Sequence, residues 1–206
     1  MKKPPNFYND LDLVEKEIIE QLVKAAHSRK SDFHTPVLTT VNKENKPNSR
    51  TVVLRNFLKK EWVLVVHSDV RSNKIEDIKS NPNICMAFYD KKEKMQLRVS
   101  AKAEIQSNHN EAWEKLSTWS RRCYLSIEKP GLIVSKPSSG FEEKYSKIAP
   151  SESESLIGKK NFCCLVLKVD CFEWLYLDRS GHRRAMFNVI RSTNSTYILK
   201  KAWIVP

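Results

Sequence analysis

Met95-Gln96-Leu97-Arg98-Val99-Ser100-Ala101-Lys102-Ala103-Glu104-Ile105-Gln106 decides the fold. Apolar and polar residues alternate through it without a break, the period of a strand with one face buried and the other wet. Working outward, runs rich in β-branched and aromatic residues precede it at 36–41, 50–57, 62–67 and 83–89. Others follow it at 162–169, 172–177, 184–190 and 201–205. Turn-forming clusters at 42–48 and 90–94 separate the earlier runs, and connections this short favour antiparallel pairing over βαβ crossovers. Closure into a barrel is the usual way for such a sheet to remove its edges. The expected class is therefore α+β, mainly antiparallel β, in a single domain over 1–206.

Helical patterns flank the strands. Leu11, Val14, Ile18, Leu22 and Ala25 recur at spacings of three and four within an N-terminal segment at 1–30. They predict an amphipathic helix opened by Asn9 or Asp10. A second helix is expected from Ser72 as N-cap to Ser80, ended by Asn81-Pro82. A third is expected over 108–117, with Asn108 and Glu111 spaced as a capping box. Residues 126–156 are richer in Ser, Pro and Lys and read as a connecting excursion, with a helix at 141–148.

At 206 residues the chain can bury a sizeable core, and 40% hydrophobic residues with only 4 Gly argue against a disordered or fibrous chain. No apolar run approaches a membrane span, and Met1-Lys2-Lys3-Pro4-Pro5-Asn6 leads into no secretory signal. Cys85, Cys123, Cys163, Cys164 and Cys171 are odd in number and lack metal-ligand spacing. They read as reduced thiols of a cytoplasmic protein, with neither zinc nor a disulfide framework. The formal charge of +12 is spread over short clusters such as Arg121-Arg122 and Arg183-Arg184, which argues against a nucleic-acid partner.

Four polar clusters interrupt the apolar pattern. In Ser68-Asp69-Val70-Arg71-Ser72-Asn73-Lys74 a strand runs into a helix. The first N–H groups of that helix, the positive end of its dipole, Arg71 and Lys74 together make an anion site that a phosphate would fit. The plain alternative is a solvated turn. In Arg50-Thr51-Val52-Val53-Leu54-Arg55 a strand is bracketed by arginines on opposite faces, and its extended backbone could border a planar heterocycle. Gln96 and Arg98 share one strand face and could read, and place charge beside, a ring system. Near the C-terminus Trp174 precedes His182-Arg183-Arg184. A tryptophan can cover an aromatic ligand, and His182 is either a base or a hydrogen-bonded structural residue. GxSxG, P-loop, HExxH and GxGxxG motifs are absent from the sequence.

Taken in order, these clusters resemble the pyridoxamine 5′-phosphate oxidase-like family of FMN-binding split barrels. The residues that carry the resemblance begin with Arg50-Thr51-Val52-Val53-Leu54-Arg55 and His67-Ser68-Asp69-x-Arg71-Ser72-x-Lys74. Asn81-Pro82, Phe88-Tyr89 and Gln96-Leu97-Arg98-Val99 follow. Trp113-x-x-Leu116-Ser117-x-x-Ser120-Arg121-x-x-Tyr124 and Pro130-Gly131 are similar to the pyridoxamine-oxidase-related subgroup. The chain closes on Trp174, His182-Arg183-Arg184 and Trp203-Ile204-Val205-Pro206.

The resemblance implies an FMN-binding split β-barrel with flanking helices, whose two subunits hold FMN in clefts at their interface. Arg50, Ser72 and Lys74 would hold the flavin phosphate, with Ser68, His67 and Arg71 assisting. Val52, Val53 and Arg55 would line the isoalloxazine and Gln96 would contact its ring system. Trp174 and Arg184 would come from the other subunit.

Substrate residues depart from the oxidase pattern. Its Arg-x-His-x-Arg run has Ser180 at the first position here, with His182 and Arg184 retained. Its Tyr/Arg/Ser grip on the substrate phosphate has only Arg121 and Ser120 as stand-ins. The expected function is hydride transfer between FMN and a small anionic substrate. His182 and Arg184 would serve catalysis, and Arg121, Arg98 and His182 would bind substrate. Alternatives are an authentic pyridoxamine or pyridoxine 5′-phosphate oxidase, or a non-enzymatic flavin-binding or nucleic-acid-binding protein.

Overall fold

The structure is a computed structural model and describes residues 5–107, 109–191 and 197–206. Helix α1 (Leu11–His27) opens at Asp10, whose carboxylate accepts from the backbone N–H of Asp12 and Leu13 at 2.9 and 3.0 Å. Its stripe of Val14, Ile18, Leu22 and Ala25 is buried in the same core cluster as the inner face of the sheet. Removing that apolar surface from water is what holds a helix of this length in place.

Strands β1 (Val37–Val41) and β2 (Pro47–Thr51) form a hairpin, as do β3 (Leu54–Leu58) and β4 (Val63–Asp69). The run expected as one strand over 50–57 is thus two strands belonging to opposite ends of the sheet. Val52 and Val53 carry the chain across, and the Val52 N–H donates to the Pro36 carbonyl at 2.9 Å. β propensity is continuous through this run, and propensity does not mark where a chain changes strand partners.

Helix α2 (Asn73–Ser80) leads to β5 (Asn83–Asp90) and the long β6 (Met95–Ser107). In β6 Met95, Leu97, Val99, Ala101 and Ala103 are buried while the intervening residues face out, as the alternation requires. The helix expected over 108–117 is instead two short ones, α3 (Asn110–Glu114) and α4 (Thr118–Arg121). His109 caps α3, its Nδ1 accepting from the Ala112 N–H at 3.2 Å, and the expected cap Asn108 lies outside the described residues. The helix expected at 141–148 is a single 3-10 turn over Glu143–Ser146. The excursion instead forms α5 (Glu152–Leu156), opened by a reciprocal cap between Ser151 and Glu154.

Runs 162–169 and 172–177 fuse into β7 (Phe162–Tyr176), with a bulge that leaves Asp170 without an opposite residue on β6. The chain closes with β8 (Arg183–Arg191) and β9 (Tyr197–Ile204), the latter starting ahead of the expected 201.

All pairings are antiparallel, in the order β2-β1-β5-β6-β7-β4-β3, with β8 and β9 added through β7. One edge of β7 follows β6 along its length. The other pairs with β4 over Phe162–Lys168 in number 162–168, then with β8 over 171–176. The sheet therefore divides at β7, and β2 and β3, the ends of the path, do not meet. It is a split barrel and not a closed one. No helix among the described residues is long and apolar enough to cross a membrane.

Candidate functional site

The end of β4 and the start of α2 bring together three polar side chains. Ser68 and Ser72 are both buried, with their hydroxyls 3.2 Å apart, and the Lys74 ammonium donates to them at 3.1 and 3.0 Å. Ser72 occupies the N-cap position in an extended conformation, yet its side chain makes no capping bond to the helix. Its hydroxyl donates instead to the Asp69 carbonyl at 2.8 Å. The first turn of α2 thus keeps donors for an outside acceptor. Burial, with the nearby charge of Arg50 adding to it, pulls the Lys74 ammonium below its ordinary range. An anion here would reverse that shift, so the donor set fits a phosphate monoester.

Arg50 reaches the same cradle from β2. Its Nη1 donates to Thr40 Oγ1 at 2.7 Å and to the Leu38 carbonyl at 3.4 Å, and its Nη2 lies 3.8 Å from the Asp77 carboxylate. Asp77 is itself buried on α2 and accepts from Thr40 Oγ1 at 2.6 Å and Asn48 Nδ2 at 3.4 Å. Neither Thr40 nor Asp77 was among the expected site residues. The available signal was weak: a threonine on the buried face of β1, and a carboxylate between Ile75 and Ile78 on the apolar side of α2.

Arg71 turns away from the cradle. Its guanidinium grips the Asp69 carboxylate at 3.0 and 2.7 Å and donates to the carbonyls of Ser126 and Ile127 at 3.0 and 3.1 Å. It pins the start of the excursion beside α2. The excursion then passes close to the cradle, where Gly131, at φ +89°, lies against the Asn73 side chain.

On the opposite face of β4, α3 roofs a cavity of about 520 Å³ lined by Arg55, Val65, His67, His109, Lys115 and Cys164, among others. The His67 ring stands edge-on to Phe162 at 4.9 Å, and its Nδ1 is buried without a hydrogen-bond partner among the described residues. Burial first, then the charges of Arg55 and His109, lower the His67 imidazole to about 4. His67 is therefore neutral at neutral pH and faces a chamber whose rim carries Arg55 and the paired Lys115 and Glu111.

A third group lies on the outer face of the sheet. Register puts Gln96 opposite Leu175 and Leu175 opposite Arg184, with Arg98 opposite Glu173. Arg98 donates to Glu173 at 2.8 Å, and Arg184 pairs with the other oxygen of the same carboxylate. Against the burial that would raise it, hydrogen bonds from Arg184 and Arg98 hold Glu173 below its ordinary range. His182 borders a neighbouring hollow of about 370 Å³ with Arg184, Asn9 and Trp203. Its Nδ1 accepts from the Asp178 N–H at 3.1 Å, which leaves the proton on Nε2.

Two expected site residues are built into the interior. Trp174 is fully buried, in register with Leu97 and Ala185 on the inner face, and packs against Phe7, Tyr176 and Trp203. Arg121 is buried, and its donors go to the carbonyls of Trp113 and Glu114, to Ser155 and to Glu152. That leaves it little to offer a substrate. Val52 and Val53 lie half-buried on the crossing between β2 and β3, with Arg55 exposed just beyond.

Comparison with known proteins agrees with this geometry. Residues 15–107 match the family described as pyridoxamine 5′-phosphate oxidase, FMN-binding domain. Pyridoxine/pyridoxamine 5′-phosphate oxidase 2 of Arabidopsis thaliana is 25% identical over 182 residues, covering 86% of this chain and 88% of that protein. The Hydrogenovibrio crunogenus protein of the same name is 38% identical over 64 residues, 30% and 29% of the two chains. Among solved structures, a pyridoxamine 5′-phosphate oxidase-related, FMN-binding protein from Nostoc punctiforme superposes with a TM-score of 0.71 at 21% identity. That match covers 93% of this chain and 97% of the other. PhzG from Burkholderia lata, solved with tetrahydrophenazine-1-carboxylic acid, gives 0.69 at 13% identity over 100% and 99%. The two structural matches speak for the fold, and the sequence matches for the cofactor. The chain is thus similar over residues 15–107 to the FMN-binding domain of pyridoxamine 5′-phosphate oxidase, and it shares the split-barrel fold of the related FMN-binding protein from Nostoc punctiforme.

Proposed function

We propose that this chain is an FMN-dependent oxidoreductase that acts as a cytoplasmic homodimer and passes hydride between FMN and a small anionic substrate. The observation that carries the reading is the convergence of Arg50, Ser68, Ser72 and Lys74 on the uncapped first turn of α2. These residues would take the flavin phosphate, and the crossing at Val52 and Val53 with Arg55 would run beside the ring. FMN, when bound, supplies the two-electron redox chemistry.

The two faces of the sheet support the dimer. Arg50 sits in register with inward-facing Leu38, whereas Gln96, Arg98 and Arg184 project outward. One chain does not bring both groups to a single ligand, and a two-fold partner would. In the partner-facing set, Arg98 and Arg184 would draw in an anion. His182 could donate from Nε2 or, on the opposite half-reaction, receive a proton after its hydrogen bond to Asp178 rearranges. The five cysteines are free, as a reducing compartment would keep them.

The test is the visible spectrum of the purified protein, identification of any released chromophore, and turnover with candidate donors. A yellow dimer yielding about one FMN per subunit supports the reading. Its enzymatic part needs His182→Ala and Arg184→Ala to lower turnover. Peroxide release on adding pyridoxine or pyridoxamine 5′-phosphate would give the chain the activity for which its Arabidopsis relative is named. A colourless protein that takes up no added FMN would overturn the proposal.

A further inference from the structure

Resting on the placement of the flavin phosphate at Arg50, we infer that Thr40 and Asp77 are positioning residues for that phosphate. Asp77 orients the Thr40 hydroxyl, and Thr40 aims Arg50 into the cradle.

The argument begins with hydrogen-bond direction. A carboxylate only accepts, so the 2.6 Å contact between Thr40 Oγ1 and Asp77 commits the hydroxyl proton to Asp77. The lone pairs of that oxygen must then face the other way, where Arg50 Nη1 lies at 2.7 Å. A free hydroxyl rotor would offer Arg50 a proton as readily as a lone pair. Pinned by Asp77, it can only accept.

Nη1 is occupied by Thr40 and by the Leu38 carbonyl at 3.4 Å, and Nη2 stops 3.8 Å short of Asp77, outside hydrogen-bond range. Nε and Nη2 are thereby left for a ligand. Arg50 also lies within the charge field of Lys74, so two cations must be kept together in a partly dry site before any anion arrives. Burial already pulls the Arg50 guanidinium below its usual range, and the charge of Asp77 opposes that. A carboxylate held one residue behind the guanidinium offsets the repulsion without occupying the ligand's place. The cluster joins a hairpin to a helix: Thr40 on β1, Arg50 on β2 and Asp77 on α2. The same three contacts also dock α2 against the β1–β2 hairpin, so a purely structural role is the competing account.

The two accounts separate when FMN is compared with riboflavin, which has the same ring and chain without the phosphate. Loss of aim acts only through Arg50, so Thr40→Val should leave the FMN-to-riboflavin affinity ratio of an Arg50→Ala protein unchanged. Loss of docking would also move Ser72 and Lys74 and lower that ratio further. Dissociation constants of both are measured on the flavin-free protein by fluorescence quenching. Thr40→Val, which keeps the shape and removes the hydroxyl, should lower the FMN-to-riboflavin affinity ratio about tenfold, the range of a hydrogen bond to a charged group. Thr40→Ala carries the same loss should the valine variant not accumulate. Thr40→Ser should return the ratio to within about twofold of the parent, and Asp77→Asn should lower it about threefold. If the Thr40 and Asp77 variants leave the ratio unchanged while Arg50→Ala collapses it, the positioning role is overturned and the phosphate placement stands. If Arg50→Ala also leaves the ratio unchanged, the phosphate does not sit at Arg50 and both readings fall.

Discussion

Replacing His67 with glutamine should flatten the acid limb of the protein's stability. The imidazole sits with Nδ1 buried and unpartnered among the described residues, edge-on to Phe162, and is lowered from 6.5 to about 4 by burial, then by Arg55 and His109. Between those two pH values the unfolded chain binds a proton at this position that the folded chain does not. The contribution of His67 is therefore fully present above about pH 6.5 and is lost as pH falls towards about 4. At about 1.4 kcal/mol per pH unit the window amounts to about 3 kcal/mol. Urea unfolding of the flavin-free protein, at neutral pH and again near pH 4, gives the comparison. The parent should lose about 3 kcal/mol more than His67→Gln across the window. The imidazole proton resonances of His67 should titrate near the lower value. Parallel profiles for the two proteins, or a midpoint near 6.5, would refute the claim that burial keeps this ring neutral. An anion bound in the chamber should restore part of the lost stability by stabilising the imidazolium.

Two further outcomes test where the other expected site residues belong. Trp174→Ala should cost about 3–5 kcal/mol in urea unfolding, since the ring is fully buried against Phe7, Tyr176 and Trp203. A cost under about 1 kcal/mol together with loss of FMN binding would make Trp174 a ligand cover instead. Arg71→Met should release the carbonyls of Ser126 and Ile127, and cleavage after Glu128 by a glutamate-specific protease should accelerate about tenfold. FMN affinity should stay within about threefold of the parent, because the guanidinium serves Asp69 and the excursion. A loss equal to that of Arg50→Ala would put Arg71 on the phosphate.

Local signals in the sequence were read well where one element explains them. The alternation from Met95 to Ile105, the stripe of α1 and the strand-to-helix cluster from Ser68 to Lys74 each depend on neighbours a few residues away. What failed depends on partners. The crossing at Val52 and Val53 is invisible to propensity because both flanking segments are good strands. Nothing local to Trp174 tells which face of the sheet it takes. Its face is set by register with Leu97 and Ala185, which no periodicity within β7 alone reveals. Arg121 advertised a free cation, yet its carbonyl and carboxylate partners come from α3 and α5. Thr40 and Asp77 were missed for the same reason, being polar groups on faces that pattern alone assigns to the core.

The division of the sheet at β7 bears on how the chain assembles as it is synthesised. β4 and β6 have no direct pairing, and each is joined to the other only through a strand that begins at Phe162. Until the chain has run from Asp69 to Phe162, the β3–β4 hairpin is a ribbon separate from β2-β1-β5-β6. The entropy of closing so long a connection grows only slowly with its length, so the delay is one of time more than of final stability. A nascent chain halted short of Phe162 carries two open strand edges, on β4 and on β6, of the kind that templates association with other chains. Arrival of β7 covers both at once, so its emergence from the ribosome removes these two templates together.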